Sequence, residues 1–174
     1  HLCDRRQRQM CIRDRFLTMG HLLGALGALL LGLIVLAYSA GGISSGFSKS
    51  NVASTQEGLI ILRMQAQQFF AGTNYNGLDN EVAIKAGIVP DTFIKGDALR
   101  NAWGGDITLS ADEANGQFSI ELSNIPQADC TQLARFQSNS WAGVSVNGAE
   151  IDPSDPVAVT DACGDTNTVT YTAR

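Results

Sequence analysis

From residue 21 to residue 40 the chain reads HLLGALGALLLGLIVLAYSA, with no charged side chain apart from one histidine. Leu22, Leu23, Leu26, Leu29, Leu30, Leu33, Ile34 and Leu36 make this run apolar all round. About twenty such residues in helical form cross a bilayer core of roughly 30 Å, so a membrane-spanning helix is predicted over residues 16–42. Gly24, Gly27 and Gly32 fit that setting, because small residues let membrane helices approach closely. The helical pattern then continues. Over residues 43–72, Val52, Leu59, Ile60, Leu62, Met64, Phe69 and Phe70 recur at helical intervals, and Asn51, Thr55, Gln56, Arg63, Gln65 and Gln67 fill the other side. This is the amphipathic half of one long helix, expected to lie along a sheet and to end at Gly72 as C-cap. Gly41-Gly42 and Ser44-Ser45-Gly46 mark a soft joint between the two halves.

Past Gly72 the periods shorten. Residues 73–100 read as a connecting region with one short helix in EVAIKAGIVP, ended by Pro90. Asn101-Ala102-Trp103-Gly104-Gly105 then opens the β part. Alternation predicts strands at 106–110 and 117–122 around an ADEANG hairpin turn, then at 141–146 and 166–172. Residues 128–137 have a helical spacing that puts Cys130, Leu133 and Ala134 on one face, and 157–160 reads as a short extended piece. The predicted fold class is α+β: a long N-terminal helix, membrane-spanning in its first half, packed on a small antiparallel sheet. No internal repeat is present.

Composition adjusts this picture at the N-terminus. The formal net charge of the 174 residues is −5, but Arg5 to Arg15 reads RRQRQMCIRDR, a basic run unlike anything after it. That peptide matches a reading frame of a common transposon-adapter oligonucleotide, so residues 1–15 are expected to be foreign to the protein. The alternatives are a basic flank before the apolar run or a nucleic-acid patch. Without residues 1–15 there remain 7 Lys/Arg against 15 Asp/Glu, a net of −8. So acidic a chain is a poor partner for nucleic acid or anionic lipid.

Two of the four cysteines, Cys3 and Cys11, fall in the foreign stretch. Cys130 and Cys163, well separated and with no histidine nearby, read as one disulfide, which implies periplasm or cell exterior. The inventory for catalysis is thin. His1 and His21 are the only histidines, so a Ser–His–Asp or Cys–His arrangement has no base in the C-terminal module. A Cys/His zinc site is excluded on the same count. Asp152, Asp155, Asp161 and Asp165 surround Cys163, but prolines interrupt the short fixed spacing a calcium loop needs; a solvated acidic loop is expected. Trp103 beside Gly104-Gly105 reads as a core residue at a tight turn, with a binding aromatic as the alternative. No cofactor, no metal site and no enzymatic activity are expected.

An apolar N-terminal helix, a connecting region, NAWGGD at residues 101–106, Asp129-Cys130 with Leu133, SWAGVSVNGAEI and the closing TDACGDTNTVTYT together resemble type IV pilins, in particular the type IVb group. The resemblance covers residues 17–174 and rests on order and spacing rather than on any single motif. It implies a structural subunit that polymerises with copies of itself into an extracellular fibre used in adhesion, aggregation or conjugative mating. Residues 21–40 would hold the precursor in the inner membrane and later pack in the fibre core. Asn101, Trp103, Gly104 and Gly105 would start the sheet, and Cys130 and Cys163 would bound the exposed variable region. Pilus assembly machinery and a prepilin peptidase would be the other partners. The family's cleavage glycine is followed closely by a glutamate, yet no acid occurs here between Asp14 and Glu57. Either Gly20 is the cleavage glycine, or His21 stands at the glutamate position with Leu17 as the mature start. A secreted binding module cleaved near Tyr38-Ser39-Ala40 and a secretion pseudopilin are the other readings, and a major subunit is expected over a minor one.

Overall fold

A computed structural model describes residues 48–174, which form one compact unit. It opens in helix α1, residues 48–69. One stripe of this helix is buried: Val52, Thr55, Leu59, Leu62, Ala66 and, just past its end, Phe70. Their intervals of three and four residues follow the 3.6-residue period. The stripe departs from the sequence expectation at three places. Thr55, placed on the polar side, is buried, whereas Met64 and Phe69, placed on the apolar side, are 49% and 57% exposed. Met64 lies two residues from Leu62 and Phe69 one from Phe70, so each is turned well off the buried line. Among the described residues no helix is long and apolar enough to cross a membrane; the run at 21–40 lies outside them.

Gly72, with φ of +82°, sits in the turns that follow α1. Helix α2, Asn80–Lys85, starts on Asp79, whose carboxylate accepts from the Val82 amide. Its end is set by Gly87 and not by Pro90. Gly87 N donates to Ile84 O and Ile88 N to Ala83 O, the paired bonds of a glycine-terminated helix. Pro90 instead leads into a 3-10 turn at Asp91–Phe93. A hairpin of two short strands follows, β1 (Ile94–Lys95) and β2 (Ala98–Leu99), inside the region read as connecting chain.

The main sheet holds β3 (Ile107–Asp112), β4 (Gln117–Pro126), β5 (Gly143–Val146), β6 (Ala149–Glu150) and β7 (Thr166–Ala173), in the order β3-β4-β7-β5-β6. Every neighbouring pair is antiparallel. The C-terminal strand lies at the centre, in register through Ile120↔Tyr171, Leu122↔Val169 and Val144↔Tyr171. Ile107, Leu109, Phe118, Ile120, Leu122, Val144, Val146, Val169 and Tyr171 are all buried on one face. Threonines 168, 170 and 172 of β7 alternate to the other.

Helix α3, Gln127–Ala134, buries Cys130, Leu133 and Ala134 as the spacing predicted, and Asp129 with them. Residues 157–160 are a correction. They belong to helix α4, Pro156–Ala162, whose N-cap Asp155 accepts from Val157 N and Ala158 N. Asp followed by Pro at the first helical position is a helix-start signal; the valine and threonine content masked it. Trp141 precedes β5 instead of opening it.

Candidate functional site

Cys130 in α3 and Cys163 at the end of α4 are joined by a disulfide, with Cα atoms 6.0 Å apart and both residues buried. The bond brackets α3, β5, β6 and α4. Amide side chains fix the second cysteine in place. Gln127 donates to Cys163 O at 2.9 Å. Asn167, buried at the start of β7, accepts from Gly164 N at 2.7 Å and donates to Ile125 O and Gly164 O. Asn147, at φ of +53° in the β5–β6 turn, donates to Ala162 O and Asn167 Oδ1 and accepts from Thr168 N. These residues tie the loops of the bracketed segment to the central strand. No cysteine spacing or charge pattern announces them in the sequence. The left-handed backbone asparagine tolerates is the one available signal, at Asn147-Gly148.

The turn at residues 101–105 is built on Asn101, which is buried. Its Oδ1 accepts from Trp103 N at 3.0 Å and Gly105 N at 2.9 Å, and its Nδ2 donates to Ser123 O. Gly104 has φ of +79°, and a Cβ on Gly105 would lie 2.0 Å from Ser123 O. Each residue type is therefore required by the turn itself. Trp103 is part of the same framework. Its indole N–H donates at 2.8 Å to Oδ2 of the buried Asp129, whose other oxygen accepts from the Ser48 hydroxyl. The start of α1, the turn before β3 and α3 thus meet at one carboxylate. With its N–H engaged, Trp103 is half-buried and packs against the core.

Within the bracketed segment, Asp152 accepts from the hydroxyl and the amide of Ser154, which hold its carboxyl below the usual range. Asp155 caps α4, and Asp161 and Asp165 are exposed. Among the described residues no three His, Cys, Asp or Glu side chains are grouped to hold a metal. Gly20, His21, Leu22, Leu23, Leu26, Leu29, Leu30, Leu33, Ile34 and Leu36 lie outside the described residues.

The fold, a helix laid on an antiparallel sheet, is shared with solved structures. The crystal structure of a type IVb pilin from Salmonella typhi superposes with a TM-score of 0.56 at 20% identity, over 68% of this chain and 97% of that one. TcpA, a type IV pilin from Vibrio cholerae El Tor biotype, gives 0.52 at 13% identity, over 72% and 99%. At such identities the likeness is one of fold. No curated protein matches the chain by sequence. A family model described as PilS N terminal matches residues 48–174, the whole of the described unit. By that match, on a fold shared with solved pilins, the chain belongs to the PilS family of type IV pilins.

Proposed function

We propose that this chain polymerises with copies of itself into an extracellular type IVb pilus used in adhesion, aggregation or conjugative mating. The observation that carries the reading is the family match over the entire unit 48–174. The apolar run at 21–40 supports it, since a stretch of that length and composition suits first an inner-membrane anchor and then a helical fibre core. The subunit supplies no covalent chemistry in this scheme; assembly rests on burying apolar helix surface. Processing at Gly20 or near His21 by a prepilin peptidase, and export by pilus assembly machinery, complete it. Cys130 and Cys163 bound the surface offered to partners, and the turn at Asn101, Trp103, Gly104 and Gly105 starts the sheet that carries it.

Shearing cells that express the chain, imaging the released material and sequencing the mature N-terminus by mass spectrometry test the proposal. Thin fibres containing a chain that begins near residues 16–21 are expected. A monomer in the medium that begins near Gly41 would replace the pilus with a secreted binding module.

A further inference from the structure

The five-stranded sheet has two outer edges. One, β6, is two residues long and offers little to an incoming strand. The other, β3, is six residues long and reads Ile-Thr-Leu-Ser-Ala-Asp. The strand itself carries no proline, no lysine and no bulge, and only its start is covered by chain, where Arg100 bridges to Asp106. Which of its backbone groups face outward follows from the pairing. Asp106 O accepts from Ser123 N on the β4 side. By alternation the even-numbered residues bond β4, while the N–H and C=O groups of Ile107, Leu109 and Ala111 point away from the sheet.

Asn80, the first residue of α2, reaches this edge. Its Nδ2 donates to Ile107 O at 2.7 Å, and its Oδ1 accepts from Leu109 N at 2.7 Å. A carbonyl and the amide two residues later are the pair of groups that one residue of a parallel neighbour engages. The carboxamide therefore takes the place of one residue of a sixth, parallel strand opposite Thr108. Asp79 performs the N-capping of α2, which leaves the Asn80 side chain available for the strand. Ile84 of the same helix packs against the core and holds α2 beside β3.

We propose that Asn80 closes the β3 edge against strand addition by a second copy of this chain. A bare β3 is self-complementary. With Asp106 and Ile107 taken up beside the Arg100 bridge, two copies meeting antiparallel about Ser110 exchange the outward bonds of Leu109 and Ala111 and set Thr108 opposite Asp112, so no like charges face each other. The fibre-forming reading enters only as the reason copies are crowded; the edge chemistry stands without it.

The test uses the full chain in detergent, comparing the unsubstituted protein with Asn80→Ala. Amide exchange at Leu109 is expected to rise roughly five-fold for one lost hydrogen bond, with the Ile120 and Tyr171 amides unchanged. Analytical ultracentrifugation is expected to show concentration-dependent association of Asn80→Ala beyond the unsubstituted chain. Adding Ala111→Pro, which removes an outward N–H at a position where an edge strand tolerates proline, is expected to abolish the extra association. Faster Leu109 exchange without added mass would reduce Asn80 to an anchor for α2 and overturn the proposal. So would association that Ala111→Pro leaves untouched, or unchanged Leu109 exchange. A chain that forms no fibres yet shows these shifts would sink only the pilus reading.

Discussion

Tyr171 lies fully buried at the middle of the sheet, with its hydroxyl donating to Leu133 O at 2.6 Å and its ring 4.7 Å from that of Trp141. Burial disfavours the phenolate and pushes the hydroxyl well above its ordinary value of 10.0. Unfolding releases the phenol to ionise, so this contribution to stability is intact below about pH 10 and falls as the pH rises above it. Tyr171→Phe is expected to cost about 1 kcal/mol near neutrality, since Leu133 O still accepts from Phe136 N. It should also flatten the alkaline loss. Tyr75, likewise raised by burial, keeps some slope. Urea midpoints at about pH 8 and about pH 11 decide it, and an equal alkaline loss in both proteins would refute the account. Gly58 carries a second lesson at this scale. A Cβ there would meet the Phe93 ring at 2.5 Å, so the usual gain of about 1 kcal/mol from alanine in a helix is overridden. Gly58→Ala should destabilise by about 1–3 kcal/mol, and Phe93→Leu should recover part of that if the clash is the cause.

Among the elements, those with a strong period were legible in the chain. The strands at 106–110, 117–122 and 166–172 and the buried face of α3 follow directly from alternation and helical spacing. Two kinds of element were not. Short helices such as α4 give too few turns for a period to show, so capping residues carry the signal. Short strands such as β1, β2 and β6 exist because neighbours hold them. Pairing Cys130 with Cys163 needed only the residue inventory, and the bond closes a loop of 33 residues. Replacing both cysteines with alanine is expected to cost about 3–4 kcal/mol on the loop-entropy account. The loss should appear as a lower urea midpoint with a similar slope. Full stability without the bond would show that Asn147, Asn167 and Gln127 hold the bracketed segment on their own.

For the molecule as a whole, the core joins α1, α2, α3, α4 and the sheet in one cluster. A chain beginning at Ser48 is therefore expected to fold as a soluble monomer with the disulfide oxidised. Size-exclusion chromatography and thiol titration test this, and aggregation of the oxidised fragment would sink it. The sequence by itself determined the α+β class, the apolar run, the cysteine pair and the glycine-rich opening of the sheet. Each of these is written in composition or in a local period. Only the tertiary structure decided that Thr55 turns inward while Met64 and Phe69 turn out, that Asp129 gathers Ser48 and Trp103, and that Asn80, Asn101, Asn147 and Asn167 bind separate segments together. Such roles depend on which backbone groups the fold leaves unpaired and brings within reach, and an asparagine carries no mark of that in its own neighbourhood.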